Sequence, residues 1–161
     1  MSKPKHLFSK ADYDGLVKNI HEIAKMLENS NRDAIESTQE SSETWHDNWR
    51  FEEGIRQSRM LSKQIEELKN IFSSAKIVSQ PDNETLLGYK VEFEQGSKKK
   101  RVIIGSYFSY SNTPEIISYT SPIAQAIRNH NPGEQVAVEN IRQGNIQILS
   151  IEPFEDYFKE F

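Results

Sequence analysis

The sequence predicts an α+β chain in two parts, an N-terminal antiparallel α-helical hairpin followed by a small β-rich domain with one short helix. Three observations carry this reading. Through the first half, apolar residues recur at three- and four-residue intervals in two long runs without proline. After Gln80-Pro81-Asp82-Asn83 the pattern breaks into short runs rich in β-branched and aromatic residues. Hydrophobic residues make up only 35% of the 161, against about 45–50% with Gly included for an ordinary globule. A two-helix rod has a single seam to bury, which accounts for the deficit. The expected division is 1–80 for the hairpin and 81–161 for the β-rich domain.

The first helical run, from Asp12 to about Ile35, uses Leu16, Val17, Ile20, Ile23, Ala24 and Leu27. Ser9 stands three residues before Asp12, the spacing of a capping box with Asp in place of Glu, so the helix should begin near Lys10. The return helix uses Phe51, Ile55, Met60, Leu61, Ile65, Leu68, Ile71 and Phe72. Between them, Ser37–Asn48 is polar and aperiodic, and there the chain reverses. In the second half the expected strands are Thr85–Phe93, Lys100–Ile104, Ile116–Tyr119, Gln135–Val138 and Asn145–Ile151, forming a small antiparallel sheet. Pro122–His130 reads as a helix with Ser121 as its cap and proline in its first turn.

Composition excludes several functions. No cysteine is present, which removes disulfide scaffolds, thiolate metal sites and cysteine nucleophiles. No apolar run approaches the roughly 20 residues of a membrane span, and the first ten residues lack a signal-peptide core. The expectation is a cytoplasmic protein with no membrane association. A net charge of -4 gives no global basic field, so sequence-specific DNA binding is not expected. His6, His21, His46 and His130 are scattered without ligand spacing, so no metal site of the protein's own is expected. Charge by segment says more than the total. Residues 1–32 carry six basic and four acidic side chains, residues 33–53 seven acidic ones and only Arg50, and residues 54–80 five basic and two acidic. The reversal near 38–50 is therefore an acidic tip, readable either as a solvated face or as an acidic end effector.

Several stretches resemble one family. Val102-Ile103-Ile104-Gly105, then Ile117-Ser118-Tyr119-Thr120-Ser121-Pro122-Ile123-Ala124, then Gly133-Glu134-Gln135-Val136-Ala137-Val138, are similar in order and spacing to the C-terminal signature of the bacterial transcript-cleavage factors GreA and GreB. Asp47-Asn48-Trp49-Arg50-Phe51-Glu52-Glu53 is similar to that family's acid-Asn-x-x-aromatic tip. The resemblance implies a coiled-coil hairpin followed by an FKBP-like domain. Its partner would be bacterial RNA polymerase, with Ser121, Pro122 and Ile123 at the channel rim and the hairpin inside the secondary channel. Tip carboxylates in the family help to hold a Mg²⁺ shared with the polymerase active site and to position the water that cuts a backtracked transcript. The polymerase stays the enzyme. Mg²⁺ takes hard oxygen ligands and keeps several waters, so carboxylates supplied from outside suit such a two-metal site.

One position departs from the family pattern. The cleavage-competent tip has two acids three residues apart before the Asn; here Asp47 fills the second place and Thr44 the first. Glu43, adjacent and longer, is the candidate replacement. Around these stand Trp45, Asn48 and Trp49, the tryptophans either wedging against a partner or closing the hairpin's end. Lys98-Lys99-Lys100-Arg101 is open to two readings, a contact to nascent RNA through its phosphates or an exposed hairpin turn. The aromatic terminus Phe154, Tyr157, Phe158 and Phe161 is expected to fold back onto the sheet.

Overall fold

The computed structural model describes residues 6–39, 46–139 and 144–160, with side chains throughout except at 37–39, 46–48 and 160. The chain forms two compact units. One comprises Leu16–Ser74, and the other joins the residues before it to those from Ala75 onward. The single boundary expected at residue 80 is thus replaced by a division in which the N-terminal segment belongs to the β-rich unit.

The reason lies in the first ten described residues. A three-residue strand, β1 (His6–Phe8), pairs in parallel with β2 (Ala75–Ile77), Leu7 opposite Lys76. Helix α1 (Lys10–Gln39) begins directly after it. Ser9 forms the N-cap half of the expected capping box, its Oγ accepting from the Asp12 backbone N–H at 3.2 Å; the reciprocal half is absent, since the Ser9 Oγ donates to Asp12 Oδ2 at 3.1 Å while the Ser9 N–H goes to Ser106. Asp12 is 3% exposed, and a buried carboxylate must be hydrogen-bonded to be tolerated. Its Oδ1 accepts from the Tyr110 N–H at 2.9 Å and its Oδ2 from the Tyr157 hydroxyl at 3.1 Å. The same hydroxyl accepts from the Ser106 N–H at 3.0 Å, and Ser106 Oγ accepts from the Ser9 N–H at 2.8 Å. Residues 9, 12, 106, 110 and 157 therefore share one buried polar network.

In the helical unit, α1 runs antiparallel to α2 (His46–Ser73). The direction follows from the cross-helix contacts: a Cβ on Gly54 would stand 3.0 Å from that of Ala34, and Ser30 Oγ lies 3.3 Å from Ser58 Oγ. Leu16, Ile23, Ile65 and Leu68 are the buried apolar residues of this seam among the described residues, together with Ala34.

The β-rich unit is built on a five-stranded sheet ordered β5-β4-β3-β7-β6. Its strands are β3 (Tyr89–Gln95), β4 (Lys98–Gly105), β5 (Ile116–Ser118), β6 (Gln135–Ala137) and β7 (Asn145–Pro153). The sheet is mixed, not antiparallel as expected, because β5 runs parallel to β4. The chain between Gly105 and Ile116 is long enough to return to the starting end, which a two-residue hairpin cannot do. The first strand starts at Tyr89 instead of Thr85. Asp82 captures the intervening turn, its carboxylate accepting from the Thr85 N–H at 3.1 Å and its carbonyl from the Leu86 N–H at 2.8 Å. Leu86 (φ 65°) and Gly88 (φ 86°) complete that turn in the left-handed region. Helix α3 (Pro122–Ile127) ends three residues earlier than expected, where Asn129 turns left-handed at φ 68°. A last turn, α4 (Tyr157–Glu160), was not legible in the sequence.

Register puts Val91, Phe93, Val102, Ile104, Ile146 and Ile148 into the core together with Ala124 and Ile127 of α3. Phe154 and Phe158 pack against it and Tyr157 is fully buried, so the aromatic terminus folds back as expected; Phe161 lies outside the described residues.

Two outcomes follow for stability. A Cβ on Gly15 would come within 2.7 Å of the Tyr110 ring, close to that residue's own backbone. Overpacking of this kind costs about 1–3 kcal/mol and exceeds the roughly 1 kcal/mol that Ala gains over Gly in a helix, so Gly15→Ala should lower the urea midpoint. Tyr157→Phe should cost about 1–3 kcal/mol, since it leaves the Asp12 carboxylate and the Ser106 N–H short of a partner. Burial raises the Tyr157 phenol above its usual range, and the Asp12 charge adds to this. The folded state then holds the proton where the unfolded chain has released it, so this contribution is complete below pH ~10 and declines as pH rises beyond it. Tyr119 is raised by burial too, so Tyr157→Phe should flatten the alkaline fall in stability without abolishing it.

Candidate functional site

Two places in the chain carry the residues singled out from sequence, one in each unit. In the β-rich unit the turn from Ser118 to Ile123 joins β5 to α3. Tyr119 is its buried post: its N–H donates to the Gly105 carbonyl at 3.1 Å, and its hydroxyl accepts from the Leu7 N–H at 3.0 Å. Ser118 Oγ donates to the Tyr107 carbonyl at 3.1 Å and accepts from the Thr120 N–H at 3.2 Å. Ser121 is the N-cap of α3, its Oγ accepting from the Ala124 N–H at 3.3 Å, with Pro122 at the first helical position. Proline suits that place because its fixed φ is helical and no donor is lost. Ile123 is half-buried against the core, so Thr120 and Pro122 are what the turn exposes. Every polar atom that shapes this turn is bonded inward. The result is a braced surface turn that exposes Pro122 and Thr120.

In the helical unit, Asp47 and Asn48 fall in the first turn of α2, while the side chains of both lie outside the description. Glu43, Thr44 and Trp45 lie outside the described residues. Trp49 is described and is 67% exposed. It borders a cleft of about 340 Å³ whose lining includes Asp33, Glu36, Glu53, Ser30 and Gly54. Arg56 donates to Glu53 at 2.7 Å, and this pairing holds the Glu53 carboxyl below its usual range. Sequence reading had located acidity here by counting. Asp33 and Glu36 of α1 and Glu53 of α2 line the same cleft as Trp49, a relation that antiparallel pairing creates and a linear count cannot show.

The basic run Lys98–Arg101 is the first half of β4. Lys99 and Arg101 face Glu94 and Glu92 across β3, Arg101 reaches Glu115 at 3.4 Å, and Lys100 donates to Gln95 at 2.8 Å. Such cross-strand pairs explain the charges as sheet chemistry. His130 lies 2.7 Å from Glu134, and His6 packs edge-on to Tyr107. No group of His, Asp and Glu placed to hold a metal occurs among the described residues, and no described helix is long and apolar enough to cross a membrane.

Comparison with known proteins adds the family. Residues 80–153 match the model for "Transcription elongation factor, GreA/GreB, C-term". Among solved structures, the chain is similar to the GreA factor homolog 1 (Gfh1) protein of Thermus thermophilus, at 22% identity and TM-score 0.44 over 91% of this chain and 97% of that one. It is similar also to Gfh1 of Thermus aquaticus, at 21% identity and TM-score 0.41 over 92% and 99%. No curated protein matches the chain in sequence. The matched stretch takes in the whole five-stranded sheet, α3 and the Ser118–Ile123 turn. The family likeness therefore rests on the β-rich unit, whose residues 80–153 match the C-terminal domain of GreA/GreB transcription elongation factors.

Proposed function

We propose that this Gre-type factor binds RNA polymerase at its secondary channel and stimulates cleavage of backtracked transcripts, the polymerase remaining the catalyst. The observation that carries the reading is the match of residues 80–153 to the GreA/GreB domain, which contains an exposed Pro122 on a turn braced by the core. A braced turn docks without paying conformational entropy, so it suits the role of rim contact. The acidic end of the hairpin is the effector in this reading. Asp47, with Glu43 beside the threonine that stands in the family's first acid position, offers hard carboxylate oxygens of the kind Mg²⁺ takes. A Mg²⁺ shared with the polymerase active site would supply an activated water. The chain's own residues position carboxylates there, and the exposed Trp49, two residues after Asp47 in the sequence, is available for contact with the channel or the transcript's 3′ end. The family's setting makes the protein cytoplasmic.

A second reading keeps the docking and drops the chemistry. Thr44 favours it, because a neutral hydroxyl is a poor replacement for a carboxylate on Mg²⁺. In that case the protein acts by occupying the channel.

A stalled, backtracked elongation complex separates the two. With cleavage as the function, native protein shortens the RNA, Asp47→Asn reduces the rate by about 10–100-fold, the scale seen when a metal site loses a supporting group, and polymerase affinity is unchanged. Thr44→Asp raises the rate, and Glu43→Gln lowers it only where Glu43 stands in for the missing acid. RNA left uncut by both native protein and Thr44→Asp, with binding intact, would establish the channel-blocking reading. The docking assignment has its own test in Pro122→Asp. Charging the centre of an apolar contact should weaken polymerase binding about tenfold or more, while the far-ultraviolet dichroism of the helices stays as in native protein. Unaltered co-elution with polymerase would reject Pro122 as the anchor.

A further inference from the structure

The seam of the hairpin changes character along its length. From Leu16 to Leu27 on α1, and from Leu61 to Leu68 on α2, the closed seam buries Leu16, Ile23, Ile65 and Leu68. At Ser30 it turns polar. Ser30 Oγ lies 3.4 Å from the Gly54 carbonyl and 3.3 Å from Ser58 Oγ, and Ser58 Oγ donates to Asn31 Oδ1 at 2.7 Å. Beyond this belt, toward the end where α1 finishes and α2 begins, Ala34 is the one buried apolar side chain among those described. Of the large apolar side chains described there, Ile35 is 57% exposed, Phe51 and Trp49 are exposed, and Ile55 is half-buried.

We propose that the hairpin contains a built-in opening toward this end, residues 31–36 of α1 and 49–57 of α2 separating and closing independently of the apolar seam. Water replaces a hydroxyl-to-hydroxyl bond at little cost, so the polar belt resists separation far less than buried Leu and Ile do. Local opening follows the distribution of buried apolar contacts, and units poor in them open first. Because Asp47 lies in the first turn of α2, its distance from α1 is then adjustable, and whatever encloses this end of the hairpin sets it. The inference rests on the seam alone and stands whether or not cleavage is the function.

Hydrogen–deuterium exchange on the full chain, read by mass spectrometry at neutral pH, is the test. Amides of residues 31–36 and 49–57 should exchange at least about tenfold faster than those of 16–27 and 61–72. Equal protection along both helices would overturn the proposal. Fraying of each helix by itself also speeds exchange, and a pinned variant distinguishes the two. The chain has no cysteine, and the Cβ positions of residues 34 and 54 lie 3.0 Å apart, so Ala34→Cys with Gly54→Cys places a single disulfide across the distal seam after a shift of under about 1 Å. Oxidation should bring the distal amides to within about threefold of the proximal ones, and reduction should restore the difference. Distal exchange that is equally fast in the oxidised and reduced forms would mean that helices fray singly, and would also overturn the proposal.

Discussion

The buried carboxylate of Asp12 is the interaction on which the β-rich unit depends. A charge at 3% exposure is unfavourable unless several donors reach it, and here they come from three parts of the chain: Ser9 just before the helix, Tyr110 in the loop between β4 and β5, and Tyr157 in the last turn. Two of these donors, Ser9 and Tyr157, are themselves held by Ser106. Ser106 holds the Tyr157 hydroxyl with its N–H and takes the Ser9 N–H on its Oγ. A sheet whose edge strands have three residues would be poorly fenced by itself. The network gathers the N-terminal strand, the long β4–β5 connection and the C-terminal turn against it. Gly15 and Gly105 report how closely, since a Cβ at either would meet an aromatic ring of this cluster or its neighbour Ile116.

The firmness of that unit bears on function through the Ser118–Ile123 turn. Tyr119 links it to Leu7 of β1 by the hydroxyl and to Gly105 of β4 by the backbone, so the exposed Pro122 is presented by the same assembly that buries Asp12. The outer face of the sheet has a different task. Opposite charges pair across its strands, as in Arg101 opposite Glu92 and Lys90 opposite Glu152. The helical unit is built to another rule, a single seam that is apolar over one part and polar over the next.

Much of this was legible in the sequence, and what was not has identifiable causes. Both helices, the Ser9–Asp12 cap, the Ser121 cap and the five strands of the sheet follow from periodicity and turn chemistry, which are local signals. The Asp12 network is not local: the bonds that tie Ser9 and Asp12 to the rest of it span 97 to 145 residues, and Asp12 looks like an ordinary first-turn acid until the tertiary fold surrounds it. Strands β1 and β2 escape for the opposite reason, three residues being too few to show alternation. The early start assigned to β3 came from reading Thr85 and Leu86 as β-formers, whereas Asp82 draws Thr85 into a turn and Leu86 sits at positive φ. Of the candidate site, the Pro122 turn was visible as a motif and its bracing by Ser118 and Tyr119 was not. The acids around Trp49 were visible as composition and not as neighbours.

The central structural claim is that Asp12 and Tyr157, 145 residues apart, act as one interaction that ties the N-terminal segment into the β-rich unit. A double-mutant cycle measures it directly, using urea denaturation of native protein, Asp12→Ala, Tyr157→Phe and the double variant. The account predicts that the single losses are far from additive, with a coupling of about 1–3 kcal/mol, as expected for a buried hydrogen bond to a charged acceptor. A coupling within about 0.3 kcal/mol of zero, each residue contributing independently of the other, would contradict it.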